Sequence, residues 1–194
     1  MVIIDEAHEQ SKAIDLLLGL LQGMVKRRLD LKVIIMSATI NAQSFLDFFP
    51  GAALKTVQGK TYDVVTLYLP APPKDLIGEV VDLVLQFHFE GPPGNILVFV
   101  AGALDMGQII KGVQAAGLGE DEAGPLDCYR LTAGLSEREQ YRVAKSPPNT
   151  SKVKGKFGRK LIVATNVAET SVTITGVTWV IDTLQVNCKI WNCA

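Results

Sequence analysis

Val2-Ile3-Ile4-Asp5-Glu6-Ala7-His8 is the stretch from which the rest of the chain can be read. Three β-branched residues in succession suit a short strand buried on both faces of a parallel sheet. Such a strand delivers the residues after it to its carboxyl end, where open α/β sheets carry their ligand chemistry. An aspartate there can hold the magnesium that bridges nucleotide phosphates, usually through water. The glutamate beside it points elsewhere and can orient or deprotonate an attacking water. Asp5 and Glu6 are thus candidates for nucleotide hydrolysis. The simpler alternative has them open a loop and cap the next helix.

Working outward, Ile14, Leu17, Leu18, Leu21, Met24 and Val25 recur at helical spacing, which predicts a helix from about residue 11 to 28. Lys26-Arg27-Arg28 closes it, where cations complement the helix dipole; a solvated helix end accounts for them better than an RNA-binding patch. A second apolar run, Val33-Ile34-Ile35-Met36, leads into Ser37-Ala38-Thr39. The spacing is that of a β-α-β unit, so the two strand ends should lie side by side. Ser37 and Thr39 would then stand near Asp5 and Glu6, able to donate and accept hydrogen bonds. They could equally cap a helix starting near Asn41.

The second half repeats the cycle. Val64 to Leu69 reads as an extended strand, and Pro70, Pro72 and Pro73 interrupt the chain directly after it, which places a domain boundary there. Helices are expected over about 74–90 and 103–116 and from Ser136, with strands over 95–101, 127–131, 161–164 and 177–182. Ser136 and Glu139 form a capping box. His88 suits a packed or half-exposed position without a functional role. Residues 146–160 carry Lys152, Lys154, Lys156, Arg159 and Lys160, a density that could meet phosphates, although a flexible, solvated insertion is the favoured reading. After the strand at 161–164 comes Thr165-Asn166-Val167-Ala168-Glu169-Thr170-Ser171-Val172-Thr173, a polar set suited to phosphate and sugar contacts.

Length and composition agree with an α/β protein: 194 residues, 48% hydrophobic and 20% charged. A net charge of −1, from 19 basic and 20 acidic side chains, provides no global field for nucleic acid, so any such binding must be local. No apolar stretch is long enough for a membrane span. No basic-then-apolar leader is evident, so an intracellular chain is expected. Cys128, Cys188 and Cys193 lack His partners at metal spacing; reduced thiols and no zinc are expected.

Asp5-Glu6-Ala7-His8, Ser37-Ala38-Thr39 and Thr165 to Ser171 occur in this order on expected strand ends, and together they resemble motifs II, III and V of the DEAH-box RNA helicases. Val25 to Lys32, Ile96-Leu97-Val98-Phe99 (motif IV) and Gly158-Arg159-Lys160 agree, so the resemblance covers nearly the whole chain. It implies an α/β fold of two incomplete RecA-like parallel-sheet domains of the P-loop NTPase type. These would be residues 1–60, the end of the first domain, and 74–194, the second, with 61–73 as a linker or edge strand.

The resemblance further implies an ATP hydrolase that moves or unwinds RNA, with ATP and magnesium as cofactors, RNA and an activating protein as partners, and a nuclear setting in mRNA processing. Asp5 would hold magnesium through water, Glu6 would be the catalytic base and His8 would couple the nucleotide site to the second domain. Ser37, Ala38 and Thr39 would link hydrolysis to unwinding. Thr165 and Asn166 would meet the RNA backbone, and Glu169, Thr170, Ser171 and Thr173 would sense nucleotide and strand together. Some features depart from the family. The sequence contains no glycine-rich phosphate loop of the Gly-x-x-x-x-Gly-Lys-Thr form and ends before motif VI, so an internal fragment with little hydrolysis of its own is expected. Gln10 stands where the family has Arg. Ala103-Leu104 replace an acidic pair, and Asp182-Thr183-Leu184-Gln185 lacks the Pro-Gly turn. The alternative is a pseudo-helicase that binds RNA or protein without catalysis.

Overall fold

The computed structural model describes residues 1–9, 11–38, 42–59, 62–116, 124–132, 134–145, 148, 157–165, 173–185 and 187. The chain is α/β with parallel sheets and divides into two compact units, Met1–Thr66 and Leu67–Ala194. The division falls inside the proline-flanked segment 61–73.

In the first unit, β1 (Val2–Ile4) and β2 (Val33–Ile35) pair in parallel, with Val2 opposite Val33, Ile3 opposite Ile34 and Ile4 opposite Ile35. Between them runs α1 (Lys12–Val25), capped by Ser11, whose Oγ accepts from the Ile14 amide at 3.3 Å. The cap is Ser11, so Asp5 and Glu6 are not needed to start this helix. Leu18 and Leu21 of α1 are buried with Ile4, Ala7 and Phe49. Each such leucine contributes roughly 1.5–3 kcal/mol. Gln22 Nε2 donates to Phe48 O at 2.7 Å, tying α1 to α2 (Ala42–Phe48). Ile3 and Ile34 alternate to the opposite face of the sheet, where they remain 52% and 43% exposed.

The strand expected at 64–69 does not form. Its residues join no ladder, and Val64, Val65 and Leu67 are more than four-fifths exposed. β-propensity reports fitness for a pleated, half-buried surface; it does not create a strand without a paired edge.

In the second unit four parallel strands take the order β4-β5-β3-β6: β3 (Asn95–Phe99), β4 (Leu126–Leu131), β5 (Arg159–Ala164) and β6 (Val177–Asp182). Side-chain alternation separates two cores. Ile96, Val98, Leu161 and Val163 pack with α3 (Leu76–Phe89) and α4 (Ala103–Ala115). Leu97, Ile162 and Ala164 face the other way, toward Val143 of α5 (Glu137–Lys145). With both faces covered, β5 is buried along its whole length, as a central parallel strand should be.

Two of the residues counted with the basic insertion belong to this core. Arg159 and Lys160 are buried in β5 and meet no solvent phosphate. Arg159 Nη1 donates to Pro92 O at 2.7 Å and Gly94 O at 2.9 Å, and Nη2 donates to Gly91 O. The guanidinium thereby satisfies the carbonyls of the turn between α3 and β3. Gly94 in that turn has φ +144°, and a Cβ there would lie 1.8 Å from Thr178 Oγ1. Lys160 Nζ donates to Val143 O at 2.6 Å, neutralising the carboxyl end of α5. Burial holds its ammonium below the ordinary lysine range, opposed by the Asp127 carboxylate. Lys152, Lys154 and Lys156 lie outside the described residues. The capping box forms: Glu139 Oε2 accepts from Ser136 N at 3.0 Å, and Glu139 N donates to Ser136 Oγ at 3.4 Å. His88 is buried, with Nε2 3.2 Å from Gly124 O.

Among the described residues no helix is long and apolar enough to cross a membrane. Cys128 of β4 is half-buried, and burial, with Asp127 adding to it, pushes its thiol up to about 11. A raised thiol stays protonated through neutral pH, and the thiolate is the nucleophile. Cys128 should therefore alkylate with iodoacetamide at pH 8 at least about tenfold more slowly than an unhindered thiol, accelerating only toward pH 11. Peptide mass mapping of the labelled chain measures this, and a rate equal to that of a free thiol would contradict it.

Candidate functional site

The carboxyl ends of β1 and β2 are joined beyond the ladder itself. Met36 N donates to Ile4 O at 2.8 Å, and Ala7 N donates back to Met36 O at 3.0 Å. These two bonds hold the Asp5–Ala7 loop against the Met36–Ala38 loop. Asp5 is exposed at the rim, and its Oδ1 accepts the Glu6 amide at 2.9 Å. Glu6 adopts φ +52°, a left-handed conformation that costs a non-glycine residue and is found where a side chain must be aimed. A 3₁₀ turn over Ala7–Glu9 comes next, closed by Glu9 N donating to Glu6 O at 3.0 Å, with Ala7 buried beneath it. Its effect is to return His8 toward Glu6, with Nδ1 3.3 Å from Oε2. Ser37 and Ala38 are exposed on the adjoining loop. Asp5, Glu6, His8, Ser37 and Ala38 are therefore brought together on one rim, while Thr39 lies outside the described residues.

Asp5, Glu6 and Glu9 place three carboxylates within five residues, and such an edge repels phosphate unless a cation intervenes. Among the described residues no three His, Cys, Asp or Glu side chains converge to cage an ion. A cation at this rim would rest on one carboxylate together with water and phosphate oxygens. Magnesium commonly sits that way, so the donor set fits it.

In the second unit the corresponding rim lies between β3 and β5. The chain leaves β3 through α4, which packs on one sheet face. In open α/β sheets the carboxyl ends of the strands are where ligands bind. Thr165, partly exposed, stands there beside Val100, whose amide donates to Ala164 O at 2.9 Å. Thr173 is not near it. It precedes Thr175, whose amide and hydroxyl both donate to Ala144 O at 3.0 and 2.9 Å, and Gly176 O accepts from Asn95 at the start of β3. Thr173 therefore belongs to the amino-edge side of the sheet. Asn166, Glu169, Thr170 and Ser171 lie outside the described residues.

Two further rim residues carry no motif in the sequence. Thr183 donates through its hydroxyl to Phe99 O at 2.9 Å, and Asn187 Nδ2 donates to Ala101 O at 2.8 Å. They close the carboxyl end of β3 from the strand beside it. The available signal was weak: polar residues just after a strand whose register against β3 sequence does not disclose.

No protein-family model matches the sequence.

Leu184 lies on the same rim with φ +55° and is 77% exposed. A left-handed leucine gives up backbone energy and here recovers little by burial. Leu184→Gly should raise the stability of the second unit by about 1 kcal/mol in urea denaturation, the relief of strain exceeding the added chain entropy. A loss of stability would contradict this.

Proposed function

We propose that the chain is part of an ATP-dependent RNA helicase of the DEAH-box type, its two units being RecA-like domains of the P-loop class. The observation that carries this reading is the rim after β1 and β2, where the Met36–Ile4 and Ala7–Met36 backbone bonds hold the loop carrying Asp5, Glu6 and His8 against the Ser37-Ala38 loop. Each group has a chemical task in hydrolysis. Asp5 would hold magnesium, which when bound would neutralise charge on the nucleotide phosphates. Glu6, its backbone turned out of the strand direction, takes the proton of the attacking water. His8 and the Ser-Ala-Thr loop pass the state of the nucleotide to whatever domain packs against them. Thr165, with Asn166 following, meets the RNA backbone with neutral donors, so contact need not depend on net charge. An RNA partner is compatible with a net charge of −1 only through such local groups.

Gly158-Arg159-Lys160 most resembles the helicase of this family that disassembles spliceosomes and takes part in ribosome maturation, which favours ribonucleoprotein particles as substrates and a nuclear setting. A second reading is a pseudo-helicase whose second unit docks protein. It is favoured by Leu104, 84% exposed in the first turn of α4, and by Leu184 on the neighbouring strand end. Apolar side chains at those points suit a protein surface better than a phosphate chain.

Hydrolysis separates the two. In a chain carrying the phosphate loop and arginine fingers together with these residues, Glu6→Gln should lower RNA-stimulated ATP turnover by about 100-fold or more while nucleotide binding is retained. An active parent indifferent to Glu6→Gln would remove the catalytic assignment. A parent that binds RNA or protein but turns over no ATP would establish the second reading.

A further inference from the structure

The family resemblance gives His8 one task, that of a link to another domain. Its surroundings point to a second. Glu6 and Leu184 are the non-glycine residues with positive φ among those described, and Glu6 is the one beside a titratable partner. The left-handed turn at Glu6, together with the 3₁₀ turn, folds the carboxylate and the imidazole onto the same side of the loop, 3.3 Å apart. His8 Nδ1 is shielded from water and makes no aligned hydrogen bond. A bare Nδ1 lone pair would face the lone pairs of a carboxylate oxygen with no water between them, which is repulsive. A proton on Nδ1 reverses the sign and, after a small rotation of the ring, gives a charge-assisted hydrogen bond.

We propose that His8 is a positioning residue for Glu6: its neutral imidazole takes the Nδ1–H tautomer, donates to Glu6 Oε2 and leaves Nε2 as a bare acceptor. The catalytic consequence rests on the reading of Glu6 as the hydrolytic base, whereas the tautomer does not. With Oε2 held, Oε1 is the oxygen left to receive a proton from water, so the two oxygens of one carboxylate take different roles. The tautomer also fixes what His8 can meet on its other side. A bare Nε2 pairs with a hydroxyl or an amide N–H and rejects a carbonyl.

The chain has two histidines, and the second is an internal reference. His88 Nε2 lies 3.2 Å from Gly124 O, which can only accept, so His88 carries its proton on Nε2. Long-range proton–nitrogen correlation of the labelled chain at about pH 8, where an ordinary imidazole is neutral, reads both rings. Two opposite tautomers are expected, His8 with Nδ1–H and His88 with Nε2–H. Glu6→Gln, whose amide oxygen still accepts, should leave His8 unchanged. Glu6→Ala should turn the Nδ1–H form of His8 from the dominant to the minor species while His88 stays the same. If Glu6→Ala also collapses the amide dispersion of Val2–Ile4 and Val33–Ile35, the first unit has unfolded, and the wild-type and Glu6→Gln spectra decide. His8 with Nε2–H in the wild type, or an unchanged His8 in a folded Glu6→Ala chain, overturns the proposal. Neither outcome depends on ATP turnover, so a Glu6 without catalytic function would leave the tautomer result standing.

Discussion

Met36 is the residue on which the candidate site depends, and it acts through its backbone alone. Its amide donates to Ile4 and its carbonyl accepts from Ala7, which extends the parallel pairing of β1 and β2 past the last residue of either strand. Without those bonds an acidic loop and a hydroxyl loop would be two adjacent surface segments. With them, the loops share one rim, and the left-handed turn at Glu6 is held in place because Ala7 is pinned and buried immediately after it. Strain of this kind persists only where the surroundings over-determine it.

The two units build their rims at different cost. The second has four strands, helices on both faces and three buried polar side chains held by backbone groups: Arg159 by three carbonyls, Lys160 by the end of α5, Asn95 by Lys160 N and Thr175 O. All of this polar bracing lies toward the amino edge of the sheet, which leaves the carboxyl edge to Thr165, Thr183 and Asn187. The first unit has a two-stranded sheet with one apolar face open, and two strands alone are marginal. Its order therefore leans on α1, on the Phe49 contact and on the Met36 bonds.

Strands and helices with strong periodicity were legible from sequence almost to the residue. Leu76–Phe89, Ala103–Ala115 and Val177–Asp182 fall where the pattern put them, because apolar spacing is a local signal, as is the Ser136–Glu139 capping box ahead of Glu137–Lys145. Val64 to Leu69 misled for the converse reason: its composition is that of a strand, but a strand needs an edge, and edges are a non-local property. Arg159 and Lys160 misled through their charge, since nothing local reveals that a strand position will bury a cation against helix and turn carbonyls. Within the site, Asp5, Glu6, Ser37 and Thr165 were legible as strand-end chemistry. The contact of His8 with Glu6 was not, because it needs the φ of Glu6, and Thr183 and Asn187 were not, because they need the register of β6 on β3.

Amide hydrogen exchange at Ala7 and Met36 tests most directly whether the acidic and hydroxyl loops are one rim. Both amides should exchange at least about tenfold more slowly than those of Val64 and Val65, which join no ladder, because each is locked to a carbonyl across the loop junction. Exchange of Ala7 and Met36 as fast as that of the irregular segment would show that the two loops are not held together, and the site built on them would not exist.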